Sequence, residues 1–177
     1  MIERIIIAGA GGQGIMLLGK VLTEAAVKEN KHITWLPTYG AEVRGGTAHC
    51  MVVISDTEIG SPYVDKADTL IIMNRPAQER FKDRIKNKGL LIINTSLASK
   101  GIDKHAYILK YPFTDIAAEL GNIKVANMVA LGCYVSKKKV VDIKNIFRVI
   151  EEIAPEDKKH LIRINKQAVS SGAKLIE

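Results

Sequence analysis

Cysteine is scarce in this sequence, which contains only Cys50 and Cys133. The two lie far apart, and no Cys-x-x-Cys pair occurs anywhere in the chain. A zinc or iron–sulfur centre that is held by cysteine needs about four such ligands. We therefore expect this chain to bind no metal by itself, and we expect both thiols to be free in a reducing compartment.

Aromatic residues are also few, at 5% of the chain. The tightest basic run, Lys137 to Lys139, contains no aromatic residue, although proteins that bind single-stranded nucleic acid combine cations with stacking rings. The net charge of +7 could favour nucleic acid, a membrane surface or an acidic partner. We interpret it as a lysine-rich solvated surface. We thus predict no nucleic acid and no membrane as partners, and keep a nucleic-acid-binding module as an alternative.

Long apolar runs are missing as well. No stretch approaches the roughly 20 apolar residues that cross a membrane, and Glu3 and Arg4 interrupt the first apolar segment, unlike a signal peptide. We expect a soluble, cytoplasmic protein. With 177 residues, 47% of them hydrophobic and 25% charged, a single globular domain over residues 1–177 is the simplest organisation.

Apolar, β-branched segments alternate with segments of helical periodicity through the first part of the chain. This alternation is typical of a mostly parallel sheet between layers of helices, and a hairpin-like stretch at residues 47–60 predicts one antiparallel strand. We predict an α/β fold: a three-layer α/β/α sandwich with a mostly parallel, mixed sheet, a Rossmann-like start and a helical C-terminal third. The predicted strands are residues 2–8, 32–36, 47–55, 69–73, 90–93 and 106–109, and the predicted helices are residues 15–29, 76–86, 125–135, 142–153 and 155–171, with a short helix capped by Thr114 or Asp115.

Glycines cluster between the first predicted strand and the first predicted helix. Gly9, Gly11 and Gly14 fit the pattern Gly-x-Gly-x-x-Gly, and Gly12 adds another position without a side chain. Such a turn brings bare backbone N–H groups to the positive end of a helix, where they can hold a phosphate or another anion. A tight turn that binds nothing would also need glycine. Gln13 could present its amide either to a ligand or to a neighbouring loop.

The features that would make this turn a dinucleotide or nucleoside triphosphate site are absent. A dinucleotide-binding fold places an acidic residue about 20 positions further on, at the end of the second strand, and this chain has Trp35-Leu36-Pro37-Thr38 there. A P-loop would need Gly-Lys-Ser/Thr after the glycines, and none follows them. NAD or FAD is therefore disfavoured. A stand-alone Rossmann-like nucleotide-binding oxidoreductase stays as the alternative function.

A second glycine-rich segment runs from Tyr39 to Thr47. In it Arg44 precedes Gly45 and Gly46, and an arginine beside exposed backbone suits bidentate contact with a phosphate or a carboxylate. A weak surface ion pair between Arg44 and Glu42 is the alternative. We expect this segment and the first turn to meet at the carboxyl edge of the sheet, where open α/β sheets bind ligands.

The remaining polar residues do not form a catalytic arrangement. His49 and Cys50 are adjacent in a predicted strand, so their side chains point to opposite faces and make a poor nucleophile–base pair. We expect one of them in the core and the other at the surface or at an interface. We predict no catalytic residue and no metal ligand in this chain.

Taken together, these segments resemble the gamma subunit of 2-oxoacid:ferredoxin (acceptor) oxidoreductases. Pyruvate and branched-chain members typically carry Gly-Arg-Gly-Gly-Gln-Gly and Arg-Arg-Gly-Ala. This chain has Ala10 in place of that first arginine, Val43-Arg44 in place of the arginine pair, and Gly46 in place of that alanine. These departures make it more similar to the 2-oxoglutarate type. The resemblance rests on Gly11-Gly12-Gln13-Gly14, Tyr39-Gly40-x-Glu42-x-Arg44-Gly45-Gly46, Val52-Val53-Ile54-Ser55-Asp56 and Ile59-Gly60-Ser61-Pro62.

The resemblance implies a role within a complex. Alpha and beta subunits would hold thiamine diphosphate, and an iron–sulfur subunit would carry the clusters. The complex would decarboxylate a 2-oxoacid, pass electrons to ferredoxin and transfer the acyl group to coenzyme A. This chain would bind no cofactor alone, would catalyse no step, and would help to form the coenzyme A site. The candidate site residues are Gly11, Gly12, Gln13, Gly14, Tyr39, Arg44, Gly45, Gly46 and Thr47.

Overall fold

The computed structural model describes residues 1–38, 47–98 and 106–176. Within them, six strands form one sheet in the spatial order β2-β3-β1-β4-β5-β6. The strands are β1 (Ile2–Ala10), β2 (His32–Thr38), β3 (Thr47–Ser55), β4 (Ala67–Ile72), β5 (Ile85–Asn94) and β6 (Tyr107–Tyr111). The α-helices are α1 (Ile15–Val27), α2 (Arg75–Phe81), α3 (Phe113–Glu119), α4 (Ala126–Lys138), α5 (Ile143–Glu152) and α6 (Ile162–Lys174).

The sheet is mixed, as predicted. Strands β1, β4, β5 and β6 pair in parallel, whereas β3 is antiparallel to both of its neighbours, β1 and β2. The parallel strands therefore end together at what we call the carboxyl edge and begin together at what we call the amino edge. The predicted α/β fold and its antiparallel strand are confirmed.

Strand β1 lies in the middle of the core, and its alternating side chains face two layers. Ile5 and Ile7 pack with α1 and with helices from the C-terminal third. Ile6 and Ala8 point to the opposite face, which Phe81 of α2 and Val64 cover. All of these side chains are buried. The two helical layers are thus unequal, because five helices cover one face and the short α2 covers the other.

Helix α1 buries one apolar face against the sheet. Leu18, Leu22, Ala25 and Ala26 recur at helical spacing, and each is completely buried. The helix ends at Val27, two residues before the predicted end, and Asn30 then takes a left-handed conformation with φ 56°. Asparagine tolerates this conformation better than most residues, which explains why the chain can leave the helix here.

The helix predicted for residues 76–86 is shorter in the structure. Asn74 caps α2 by accepting a hydrogen bond from the Ala77 N–H at 3.0 Å, and α2 ends at Phe81. A short 3₁₀ turn follows, and β5 already begins at Ile85, which pairs with Ala67 of β4. The predicted helix end at residue 86 was therefore wrong, because residues 85–89 form an irregular first part of β5 where the register shifts.

Two further helix starts differ from the predictions, and one agrees. Helix α3 begins at Phe113 after Pro112, so neither of the two predicted capping residues caps it. The segment after Pro155 is first a 3₁₀ helix, and α6 starts only at Ile162. Asp142 caps α5 as predicted, because its carboxylate accepts a hydrogen bond from the Lys144 N–H at 2.8 Å.

Candidate functional site

The first glycine-rich turn connects the carboxyl end of β1 to α1. Gly9 lies in a crowded position: a Cβ there would come within 2.6 Å of the Gln13 side chain and within 2.9 Å of that of Met73. Gly14 precedes the helix with φ 70°, a left-handed conformation that favours glycine. Tight packing therefore accounts for the first and the last glycine of the motif.

The two glycines between them lie in an open position. Gly11 and Gly12 are exposed, and a Cβ built on either would meet no atom of the described residues within 4 Å. Gly12 has φ 89° and so needs glycine for its backbone conformation, whereas Gly11 has no such need. No side chain in the described part of the chain caps α1. The tip of the turn is thus bare backbone at the positive end of a 13-residue helix.

Gln13 supports the turn with its side chain. Its Oε1 accepts a hydrogen bond from the Ala10 N–H at 2.7 Å, and its Nε2 donates to the Met73 carbonyl oxygen at 3.4 Å. Of the two roles considered for this amide, the structure shows contact with neighbouring backbone. The amide connects β1 to the residue that follows β4.

Asn127 supports the turn from the side of the helical layer, and the sequence analysis missed it. Its Nδ2 donates to the Gly14 carbonyl oxygen at 3.0 Å, and its Oδ1 accepts from the Met128 N–H at 2.9 Å. The side chain is buried. A lone amide near the start of an apolar helix was the available signal, because a buried polar side chain needs partners.

Asn94, at the end of β5, was also missed. It is completely buried, and its Nδ2 donates to the Met73 carbonyl oxygen at 3.0 Å and to the Thr114 hydroxyl at 2.9 Å. Its Oδ1 accepts from the Thr114 N–H at 3.3 Å. Since Gln13 uses the same Met73 carbonyl, one network of amides orders the carboxyl edge from β1 to α3.

The second glycine-rich segment lies largely outside the described residues. This applies to Tyr39, Arg44, Gly45 and Gly46 among the candidate site residues. Thr47 is described: it is half-buried and pairs with Ala10 of β1. Thr38, the last described residue before the segment, pairs with His49 of β3. Both ends of the segment therefore lie at the carboxyl edge, beside the first turn.

His49 and Cys50 point to opposite faces of β3, as predicted. The His49 ring lies 4.7 Å from that of Phe81, and burial, then the positive charges of Arg80 and Arg84, lower its pKa below 6.5. Cys50 lies under α1, and burial raises the pKa of its thiol to about 12. The expected surface position for one of the two was wrong, because both side chains are buried.

The described residues contain little other chemistry. Among residues 1–38, 47–98 and 106–176, no group of three or more His, Cys, Asp or Glu side chains could hold a metal ion. Cys133 is a buried free thiol, and burial raises its pKa to about 12 as well. Within the same residues, no helix is long and apolar enough to cross a membrane.

The chain with this fold and this carboxyl edge can be compared with known proteins. The pyruvate ferredoxin/flavodoxin oxidoreductase family matches residues 4–175. The chain belongs to this family. This confirms the resemblance that was inferred from the glycine-rich motifs.

Two relatives that are named as enzyme subunits match most of the chain. The 2-oxoglutarate synthase subunit KorC of Methanocaldococcus jannaschii is 35% identical over 172 residues, which cover 94% of this chain and 92% of that relative. The ketoisovalerate oxidoreductase subunit VorA of Methanothermobacter marburgensis is 34% identical over 170 residues, or 96% of this chain. This chain spans only 36% of the length of that longer relative.

Two solved structures share the fold. The gamma subunit of a keto/oxoacid ferredoxin oxidoreductase from Geobacter sulfurreducens matches with a TM-score of 0.85 and 27% identity, over 98% of both chains. A 2-oxoglutarate:ferredoxin oxidoreductase from Magnetococcus marinus matches with a TM-score of 0.90 and 23% identity. That match covers 99% of this chain and 31% of the other, whose structure contains 2-oxoglutarate, coenzyme A and succinyl-CoA.

Proposed function

We propose that this chain is the gamma subunit of a 2-oxoacid:ferredoxin oxidoreductase complex and that its first glycine-rich turn contacts coenzyme A. The complex would convert a 2-oxoacid and coenzyme A into an acyl-CoA and carbon dioxide, with two electrons passed to ferredoxin. Alpha and beta subunits would hold the thiamine diphosphate, and an iron–sulfur subunit would hold the clusters. The chain would work in the cytoplasm, as predicted from its sequence.

The observation that carries this proposal is the match to the KorC relative over nearly the full length of both chains. A relative of the same length suggests the same place in a complex. The two buried free thiols fit a chain without redox centres, because burial disfavours the thiolate that a metal centre or a disulfide exchange would need.

The geometry of the turn supports the contact with coenzyme A. The bare backbone at Gly11 and Gly12 precedes an uncapped helix, and such a helix start favours phosphate groups. Coenzyme A carries three phosphates. Gln13 and Asn127 would hold the turn in shape, since their amides already bond to backbone on either side of it. Thr47 would face the ligand from the neighbouring strand.

The other four residues of the proposed site are proposed from the sequence alone. Arg44 would contribute a bidentate contact to a phosphate, Gly45 and Gly46 would allow close approach, and Tyr39 would offer an aromatic face. Their segment begins and ends at the carboxyl edge, because Thr38 and Thr47 lie there. The proposed site therefore needs no residue from the opposite edge of the sheet.

We propose 2-oxoglutarate as the substrate. The motif departures at Ala10, Val43 and Gly46 favour the 2-oxoglutarate type, and several relatives are 2-oxoglutarate synthase subunits. A branched-chain 2-oxoacid is the second candidate, because the ketoisovalerate relatives are as similar in sequence over 96% of this chain.

The test is the activity of the complex isolated through an affinity tag on this chain. We expect ferredoxin reduction that depends on both a 2-oxoacid and coenzyme A, with the highest kcat/KM for 2-oxoglutarate. A higher kcat/KM for 2-ketoisovalerate would overturn the substrate. Recovery of the chain without thiamine-dependent activity in any fraction, together with micromolar affinity for NAD(H), would instead support the stand-alone nucleotide-binding enzyme.

A further inference from the structure

The amino edge, on the opposite side of the sheet from the glycine-rich turn, carries two adjoining cavities. One has a volume of about 500 Å³ and the other of about 660 Å³. Ile2 and Lys86 line both of them, so the two cavities adjoin at the starts of β1 and β5. We call the pair of cavities the amino-edge groove.

The groove is rich in positive charge. Among residues 1–38, 47–98 and 106–176, six lysine and arginine side chains line it, against three carboxylates. Each carboxylate already has a cationic partner within the chain: Glu3 pairs with a lysine at 3.0 Å, Asp68 with another at 2.5 Å, and Asp65 with an arginine at 3.8 Å. The positive charge of the groove is therefore only partly neutralised.

Two of the lysines are available to a partner. Lys88 and Lys137 are exposed, and among the described residues no carboxylate lies within ion-pair distance of either. Lys88 belongs to the irregular start of β5, and Lys137 to the last turn of α4. Separate elements thus bring both lysines to the lining of the first cavity.

The groove also exposes apolar surface. Ile2 is 42% exposed, Tyr63 is 55% exposed and Tyr107 is 67% exposed, although each is a large hydrophobic residue. The Tyr63 ring is held in place, because the Arg84 guanidinium lies 5.5 Å from its centre and donates to its hydroxyl at 3.2 Å. Tyrosine beside arginine and aliphatic surface is the composition found at the centres of protein interfaces.

We propose that the amino-edge groove is a docking site for an acidic segment of a partner protein. Aspartate or glutamate side chains of the partner would pair with Lys88 and Lys137, and an apolar side chain would pack on Tyr107 and Ile2. This surface is separate from the glycine-rich turn, so the proposal does not depend on coenzyme A binding.

Protein fits the groove better than a polynucleotide does. The carboxylates of Glu3, Asp65 and Asp68 line the groove between the cations, and they would lie close to the phosphates of any nucleic acid laid along it. A sugar–phosphate backbone also offers no aliphatic side chain to cover Ile2. A protein segment can place its carboxylates opposite the lysines and its apolar residues between them.

A zero-length cross-linker tests this directly, because a carbodiimide joins amines to carboxylates that are in ion-pair contact. The full chain, carrying an affinity tag, is cross-linked in permeabilised cells, purified and digested, and linked peptides are identified by mass spectrometry. We expect links from Lys88 and Lys137 to aspartate or glutamate of one identified protein. Intrachain links alone, or no links at these lysines, would overturn the proposal.

A matched pair of double variants supplies the control. Lys88→Glu with Lys137→Glu reverses the charge of the groove, and Lys144→Glu with Lys174→Glu makes the same change at exposed lysines elsewhere. We expect the groove variant, but not the control variant, to lose the partner links. Tyr107→Ser should weaken them without any change of charge. Equal loss in both double variants would show that only net charge matters, against the proposal.

Two other occupants are outcomes of the same design. Links between isotopically light and heavy copies of the chain at Lys88 or Lys137 would assign the groove to self-association. A fluorescent single-stranded oligonucleotide that binds the wild-type chain but not the groove variant would assign it to nucleic acid. Either result would overturn the acidic protein partner. The KM for coenzyme A, measured on the complex that each double variant still forms, should equal that of wild type, which separates this test from that of the proposed coenzyme A contact.

Discussion

The amide of Asn127, at the start of α4, donates a hydrogen bond of 3.0 Å to the carbonyl oxygen of Gly14, the residue that precedes α1. The two residues are 113 positions apart, yet this bond joins the C-terminal helices to the glycine-rich turn. The opposite end of the same amide accepts from the Met128 N–H. Asn127 thus fixes the turn relative to α4.

Asn127→Ala should loosen the turn and lower stability. It leaves the buried Met128 N–H without its acceptor, and the Gly14 carbonyl oxygen keeps only the Leu18 N–H as a donor. One unsatisfied buried group costs about 1–3 kcal/mol. We expect the free energy of unfolding to fall by that amount and the KM for coenzyme A to rise, as measured by urea unfolding and by assay of the complex. Asn165→Ala, which removes a half-buried bond from α6 to the Leu161 carbonyl oxygen, is the control and should leave the KM unchanged. A wild-type KM in the Asn127 variant would remove the turn from the coenzyme A site.

Gly9→Ala and Gly11→Ala should separate the structural part of the turn from the part that contacts the ligand. A methyl group at Gly9 would overlap with Gln13, Ile15 and Met73, whereas one at Gly11 would meet none of the residues that the structure describes. We expect Gly9→Ala to lower the free energy of unfolding by about 1–3 kcal/mol. Gly11→Ala should leave the melting temperature unchanged and raise the KM for coenzyme A. A Gly11 variant with normal stability and normal kinetics would indicate that the tip contacts no ligand.

The strands, the antiparallel position of β3 and the main helices were predictable because their signals are local. Strand β1 is an apolar run that ends at glycine, and α1 repeats its apolar residues at helical spacing. The start of β5 was not predictable in this way. Ile85 to Gly89 is a polar, lysine-rich stretch that forms a strand only because it pairs with β4, and this pairing is a long-range effect.

Only the part of the turn with local sequence signals could be predicted. The spacing of the glycines and Gln13 is enough to predict a strand-to-helix turn. The roles of Asn94 and Asn127 could not be predicted in this way, because each side chain hydrogen-bonds to a backbone group far away in sequence. Asn94 bonds to Met73, and Asn127 bonds to Gly14. A single sequence shows that these amides lie at the ends of apolar segments, but only the packed structure shows which carbonyl each one meets.

Gly132 and Gly172 allow α4 and α6 to cross in close contact. A Cβ on Gly132 would overlap with the Val169 carbonyl group, and one on Gly172 would overlap with that of Val129. Because backbone cannot rotate away as a side chain can, either alanine variant should lose about 3 kcal/mol or fail to fold. Gly60→Ala is the control, because a Cβ there would meet no atom of the described residues within 4 Å. Its free energy of unfolding should lie within about 0.5 kcal/mol of that of wild type. Thermal unfolding of the three variants checks this, and a Gly132 variant as stable as the Gly60 variant would contradict the close crossing.

His49 should make the stability of the chain depend on pH. Burial, with the charges of Arg80 and Arg84, lowers the pKa of His49 in the folded state below 6.5, its ordinary value. Between these two pKa values the unfolded chain binds more protons than the folded chain, so stability falls as the pH drops. The contribution of His49 is complete above about pH 6.5 and declines below it, until the pH reaches the lowered pKa.

Urea unfolding between pH 8 and pH 5 measures this effect. His49→Phe keeps a ring against Phe81 but cannot take up a proton, so we expect it to lose part of the decline in stability on acidification. The exposed His160, replaced in His160→Gln, is the matched control and should keep the wild-type slope. The same slope in all three proteins would mean that His49 is not titrating as a buried neutral side chain. If His49 is buried beside two arginines, wild type and His160→Gln should lose stability more steeply on acidification than His49→Phe does.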